Sequence, residues 1–476
     1  MADLPEDIFF ESVVELRKKL IAGEVSSVEL TKAFAQRLEQ FGPHLNALAL
    51  PLTLSATREA KAADEDFKRK MIRSPLQGIP YGAKDLLSVA DTVTTWGAAP
   101  YATQSFNYDA EVITRLSKRR APLLGKLAMV ELAGAGGYRS AAASLFGPGL
   151  NPWDRSRWSG GSSSGCGSAV AAGLVPFAIG SETSGSILTP CAFCGVTGLR
   201  PTYGLVSRYG AMPLSWTMDK IGPICRTAED CGLVLEAISG GDRRDPGSAG
   251  KSFYYTPQYT RSFADIKLGY APVDFHEWSA VAMRPTFDEA LSVLRSCGLA
   301  MAETRLTARP YAAITSTVIG SEASSAFEHL ISSEKIGELN DPKQIANLKA
   351  ASEITAQQYL RAMRLRRVVQ QDFHKIFGEI DVLVAPARYS VAPKITAPLD
   401  QKPQDAPPPP ADQGMSELIA AGNLAGLPAL CLPCGFVEGL PIALQLVGPA
   451  FSENTLIAIG KAFQQKTTFH QKRPRL

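Results

Sequence analysis

Residues 159–187 constrain this chain more than any other stretch. Ser159-Gly160-Gly161-Ser162-Ser163-Ser164-Gly165 opens a small-residue, helix-like segment. An apolar run from Ala169 to Ile179 follows, and then Gly180-Ser181-Glu182-Thr183-Ser184-Gly185-Ser186-Ile187. Glycine admits positive φ and close backbone approach; serine supplies hydroxyls that donate and accept. Each cluster alone fits a plain loop beside a buried helix. Together they read as two polar loops held at a fixed separation by the packed segment between them.

The stretch lies within an alternation of helices and short apolar strands. Ser12-x-x-Glu15 and Ser26-x-x-Glu29 are capping-box patterns, which satisfy the first free amides of a helix. Gly23 between them suits a C-cap, and Leu30, Phe34 and Leu38 continue an apolar stripe at helical spacing. A charged helix is expected over 56–70. Residues 75–87 then read as a short apolar strand ending at Lys84, 109–120 as a helix and 123–127 as the next strand. The alternation predicts an α/β core with largely parallel strands. A helix is expected over 230–239, a loop over 240–252, and a second α/β-like block from Ile266, with strand 266–270, helix 283–297 and strand 300–306. Residues 311–380 read as mostly helical and 381–386 as a buried strand. The segment 393–412, with Pro407 to Pro410, reads as a Pro-rich linker or lid. Apolar strands over 427–433 and 440–449 close the chain.

Composition narrows the class. A chain of 476 residues carries a length prior of about three domains. With 45% hydrophobic and 20% charged residues it can build a large core, which excludes wholesale disorder. A net charge of only +3 gives no electrostatic reason to expect nucleic acid or an anionic membrane as partner. Eight cysteines are too sparse for a disulfide framework. Cys191-x-x-Cys194 and Cys431-x-x-Cys434 could together close a zinc site, but they sit among apolar residues and glycine with no histidine nearby, so buried thiols are expected. The acidic N-terminus lacks the basic and apolar regions of a signal peptide, and no apolar run approaches the ~18 residues of a membrane span. The expectation is a cytoplasmic monomer or homodimer acting on a small molecule, with no metal or cofactor.

Several short motifs fail on context. Gly161-Ser162-Ser163-Ser164-Gly165 fits the G-x-S-x-G nucleophile elbow, which needs a strand leading in and a triad histidine; residues 151–158 do not read as a strand, and no histidine lies in a glycine-rich loop. Gly250-Lys251-Ser252 lacks the first glycine of a phosphate loop, with Asp245 in its place. Ser332-x-x-Lys335 lacks its Ser-Asp-Asn and Lys-Thr-Gly companions. What remains is a lysine and a set of serines. Lys84 is flanked by Ile79, Tyr81, Leu86 and Leu87, a neighbourhood that suggests burial; burial lowers a lysine pKa and makes the amine a candidate base. The equal alternative is a lysine paired with Asp85 at a strand end. A serine nucleophile needs a base, and Ser-Lys variants of the triad exist.

The chain resembles the amidase signature family. The matching stretches are Gly78-Ile79-Pro80-x-x-x-Lys84-Asp85, Asn151-Pro152-Trp153 leading to Gly160-Gly161-Ser162-Ser163, residues 180–187, and Phe193-Cys194-Gly195-Val196-Thr197-Gly198-Leu199-Arg200-Pro201-Thr202. Asp219-x-x-Gly222-Pro223, 381–386 and 440–449 also match. The resemblance spans nearly the whole chain and is weakest over 245–420. It implies an α/β/α sandwich around one large mixed, mostly parallel β-sheet, with an N-terminal helical segment (1–70) packed on a catalytic domain (71–476). It further implies a Ser–cis-Ser–Lys triad in which Ser186 is the nucleophile, Ser162 the bridging serine and Lys84 the base, with a cis peptide between Gly161 and Ser162. Thr183, Ser184 and Gly185 would then form the oxyanion loop with Ser186. Ser163 would bond Lys84 or Ser186 from behind, and Met129, Val130 and Tyr138 would border the substrate.

Three positions depart from the family pattern: Glu182, Ser184 and Leu188 stand where Asp, Gly and Arg are common. Without the Arg, Glu182 needs another partner. The activity implied is hydrolysis of linear C–N bonds of small or aryl amides, with side activity on esters and carbamates, including urethanes. The alternative is the glutaminase subunit of a tRNA-dependent amidotransferase, which would need an ammonia tunnel and a partner chain, and whose usual loop carries the Asp/Gly/Arg set.

Overall fold

The computed structural model describes residues 4–400 and 414–476; part of the expected linker or lid over 393–412 therefore lies outside the described residues. One eleven-stranded sheet runs through the molecule. From one edge its strands are Leu48–Pro51, Leu123–Leu127, Tyr81–Lys84, Ala178–Glu182, Lys220–Cys225, Thr197–Arg200, Ala429–Val437, Leu440–Val447, Val382–Pro386, Lys267–Tyr270 and Ala300–Glu303. Tyr81–Lys84 pairs in parallel with both its neighbours, and so does Lys267–Tyr270. The strands between these blocks pair antiparallel. The sheet is thus mixed, with helices packed around it in the sandwich that the family resemblance implies.

The central strands are buried along their whole length, as a sheet covered on both faces requires. One continuous apolar core joins Val13, Leu16 and Phe34 of the N-terminal helices to Leu430, Leu446 and Phe463 near the C-terminus. Both capping boxes form: the Ser12 and Ser26 hydroxyls accept from the Glu15 and Glu29 amides, and Gly23 caps its helix in the left-handed conformation at φ 71°. No helix among the described residues is long and apolar enough to cross a membrane.

Residues 154–158 differ from expectation. Asp154–Trp158 is a strand, paired with Leu150–Asn151 in a small separate ribbon. Its polar sequence reflects a partly exposed ribbon rather than a strand buried in the main sheet. It does lead into the first Gly/Ser cluster, so a strand precedes Ser162 after all.

The eight cysteines are free thiols. Burial pushes the Cys191 and Cys431 thiols well up, which opposes the thiolate a metal would need. No group of three or more potential metal ligands clusters among the described residues.

Candidate active site

Lys84 and Glu182 are the last residues of neighbouring parallel strands, at their carboxyl ends. Open α/β sheets place ligands at such ends. The first Gly/Ser cluster crosses above them. Gly160 turns the chain at φ 88°, and a Cβ there would lie 2.7 Å from the Pro190 Cα, so only glycine fits. The Gly161–Ser162 peptide is cis. The Ser162 carbonyl accepts from the Val130 amide at 3.1 Å, and the Ser163 amide donates to the Ser186 carbonyl at 3.3 Å, which ties the two clusters together.

Lys84 is fully buried, and its Nζ lies 2.7 Å from Ser162 Oγ and 3.0 Å from Ser181 Oγ. Asp85 does not pair with it. The Asp85 carboxylate forms an ion pair with Lys126 at 2.9 Å and accepts from the Thr95 amide at 3.1 Å and from the Thr95 hydroxyl. Lys84 therefore has hydroxyl partners only, and burial brings it down from 10.5 to about 7. The amine is substantially neutral near pH 7 and can accept the Ser162 proton across the same contact in which its ammonium form donates.

Glu182 organises the second cluster. Its Oε2 accepts from the Ile187 and Leu188 amides at 2.8 and 3.0 Å, at the start of the helix Leu188–Cys194. Its Oε1 accepts from Arg200 Nη1 and Asn423 Nδ2, both at 2.8 Å. Burial alone would raise this carboxyl; Arg200, Asn423 and the Leu188 amide outweigh it and bring it to about 2. Arg200 is thus the partner that the absence of an arginine at position 188 called for. Between the tethered ends, Gly185 takes φ 86°. Among the described residues none accepts from the amides of Thr183, Ser184, Gly185 or Ser186. The loop is held from outside: Thr183 Oγ1 donates to Asp219 Oδ1 at 2.6 Å, and Lys220 Nζ donates to the Thr183 carbonyl at 3.5 Å. Ser186 keeps 8% of its surface accessible, while Ser162 and Lys84 keep none.

One expected contact is met through the backbone and one expected placement is corrected. Ser163 reaches Ser186 by its amide, while its hydroxyl donates to the Ser181 carbonyl at 3.2 Å and accepts from the Ser181 amide at 3.4 Å. The hydroxyl that reaches Lys84 beside Ser162 is that of Ser181, which lies inside the second motif but had no feature to set it apart from its neighbours. Met129 faces the main core against Gly97, whereas Val130 packs with Tyr138, Trp158 and Phe193 in a separate cluster. Consecutive residues of extended backbone point to opposite sides, so the pair 129–130 splits. Tyr138 comes close to the candidate nucleophilic centre: a Cβ on Gly161 would lie 3.0 Å from its hydroxyl. On the other side of the loop, a cavity of about 180 Å³ reaches Ser181 and Thr183 and is lined by Leu86, Met212 and Trp216 as well.

A buried amine brought down to about 7, a hydroxyl in contact with it, and a second serine on a loop whose amides have no acceptor among the described residues form a site suited to nucleophilic attack on a carbonyl. Known proteins agree with this at the family level. The Amidase family model matches residues 29–457. The chain is 34% identical over 497 residues to the A subunit of glutamyl-tRNA(Gln) amidotransferase from Chloroflexus aggregans, covering 99% of each. It is 35% identical over 491 residues to the Coxiella burnetii protein of the same name, covering 98% of this chain and 99% of the relative. Among solved structures, a chain from a vestigial protein complex that reveals the origins of an s-triazine catabolic enzyme superposes with a TM-score of 0.88 at 28% identity, covering 98% of this chain and all of that one. Native peptide amidase from Stenotrophomonas maltophilia gives 0.81 at 29% identity, covering 98% of each. The chain belongs to the amidase signature family.

Proposed function

We propose that this amidase hydrolyses the C–N bond of small linear amides through an acyl-enzyme on Ser186. The observation that carries the reading is the Lys84–Ser162 contact, with the lysine stripped of any carboxylate. Neutral Lys84 takes a proton from Ser162, which takes one from Ser186 as that serine attacks the carbonyl. The tetrahedral oxyanion is met by the amides of the 183–186 loop, each worth about 3 kcal/mol in the transition state. Ser162 returns a proton to the leaving amine, and water then cleaves the acyl-enzyme. Esters and carbamates present the same carbonyl and are expected side substrates. The test is turnover of an anilide and a simple primary amide by the isolated chain, with Ser186→Ala as control. Turnover that survives in that variant removes the reading.

The curated relatives favour a second reading, a glutaminase working beside a partner chain, since they match at 34–35% identity over nearly the full length. Glu182 supports it as well: with Arg200 and Asn423 as partners the loop is tethered without the usual arginine at 188. Assay of the isolated chain on glutamine against the anilide separates the two. Glutamine hydrolysis that appears only with a partner chain present selects the second.

A further inference from the structure

Tyr81 begins the strand that ends at Lys84 and is 1% exposed. Its ring stacks on that of Phe177, with centroids 5.3 Å apart and planes at 7°. Its hydroxyl has no hydrogen-bond partner among the described residues. A buried phenol ordinarily finds one. Tyr81 instead lines a cavity of about 570 Å³. That space lies where the helices Thr53–Lys68 and Glu111–Lys118 meet the strand Tyr81–Lys84. The two acids whose charges bear on the phenol, Glu59 and Asp109, line it as well, so the hydroxyl faces this space.

Both carboxylates have one oxygen in use. Glu59 Oε2 accepts from the Leu123 amide at 2.9 Å, and Asp109 Oδ1 accepts from the Ala90 amide at 2.8 Å. The second oxygen of each has no donor, and neither acid forms an ion pair, among the described residues. Burial pushes the Glu59 carboxyl up and Asp109 adds to this, so the Leu123 amide and the more distant Arg120 and Arg58 do not fully offset the cost of its charge. Glu39 adds a third carboxylate at the exposed rim, and Arg58 is the one cationic residue of the lining. The lining is net negative and carries free acceptors. Leu52 and Ile113 give it apolar wall.

We propose that this cavity binds a small organic ammonium ion, whose N–H groups donate to the Tyr81 hydroxyl and to the free oxygens of Glu59 and Asp109 while its hydrocarbon body lies against Leu52 and Ile113. The volume falls among those of small-molecule sites, about 300–1,000 Å³. A metal ion is the poorer occupant: no group of three or more potential metal ligands clusters among the described residues, and a bare ion would leave most of the space empty. None of Lys84, Ser162 and Ser186 lines the cavity, so the site is separate from the candidate active site and does not depend on the amidase reading.

The test is calorimetric titration of the full chain at low salt with cadaverine, and with the neutral pentanediol of the same length. Cadaverine should bind saturably at one site, and the diol should not. Tyr81→Phe should weaken cadaverine by about tenfold, the loss of one hydrogen bond to a charged group. Glu59→Gln should weaken it by about tenfold or more, and Asp109→Asn serves if that variant does not fold, as judged by melting temperature. Arg58→Gln should tighten binding by about twofold or more, since it removes the cation at the rim; a merely structural role for these acids would not produce that gain. No saturable cadaverine binding up to about 5 mM overturns the proposal. So does equal binding of the diol, or binding that survives both carboxylate variants. Calcium binding that needs Glu59, with none of cadaverine, overturns it in favour of a metal.

Discussion

Lys84 and Lys126 lie on neighbouring parallel strands, with Ala83 opposite Lys126 and Lys84 opposite Leu127, and both are fully buried. Desolvation pushes both amines down. Their surroundings then part. Lys126 has the Asp85 carboxylate at 2.9 Å and the Thr94 hydroxyl at 2.6 Å, and Asp85 pulls it back up. Lys84 has only two serine hydroxyls. The residue next to Lys84 in sequence is the counter-ion of the other lysine. Burial alone does not make a base; burial with the local carboxylate already claimed does. One carboxylate, placed on one side of a strand end rather than the other, separates a structural cation from a candidate catalytic amine.

The comparison breaks most sharply at Lys84 itself. Lys84→Ala should slow acylation by about 10³-fold or more near neutral pH, read as kcat/KM and as the rate of fluorophosphonate labelling at Ser186. Near-wild-type turnover in that variant ends the assignment. At the other lysine the effect should be on stability. Asp85→Asn leaves Lys126 buried and uncompensated, at a cost of about 3–5 kcal/mol measured by denaturant unfolding. The double change Lys126→Met with Asp85→Leu should instead be neutral or stabilising and should keep turnover; a loss of activity there would give Lys126 a role in the chemistry. Ser181→Ala, which removes one of the two hydroxyls on Lys84, should cost about tenfold in kcat/KM at most, on the order of 1 kcal/mol for one hydrogen bond.

Lys84 also leaves a signature in pH. With Lys84 near 7, kcat/KM should rise with pH through that value and level off above it. The stability consequence has a definite sign. The folded pKa lies below the unfolded 10.5, so between about 7 and 10.5 the unfolded chain holds the extra proton and the wild-type protein gains stability as pH rises. Lys84→Met lacks this dependence, so its stability relative to wild type should fall from pH 7 toward pH 10. A gap independent of pH would show that Lys84 is not neutral when folded.

Much of this was legible in the residues. The capping boxes, the strand ending at Lys84 and the two Gly/Ser clusters all follow from local spacing, and each lies where the sequence predicts. The missing parts are non-local. The partner of Asp85 is set by strand register to a residue forty-one positions on. Arg200 and Asn423 reach Glu182 only once the central strands have paired. Ser181 was indistinguishable from the other serines until its neighbour Glu182 was fixed at the strand end. The strand Asp154–Trp158 carries no apolar alternation to mark it, because Asp154, Arg155 and Arg157 lie on a partly exposed ribbon.

The tether on Glu182 also bears on how the enzyme is made. Asn423 joins it from 241 residues downstream, and the strands at 429–447 stand between those at 197–200 and 382–386. Every residue of the candidate triad leaves the ribosome long before these elements do. The nascent chain therefore carries its candidate nucleophile for about half of its synthesis without the Glu182–Asn423 tether. A chain stopped before Asn423 should take no fluorophosphonate label at Ser186; labelling of such a fragment would show that the loop closes without its last partner.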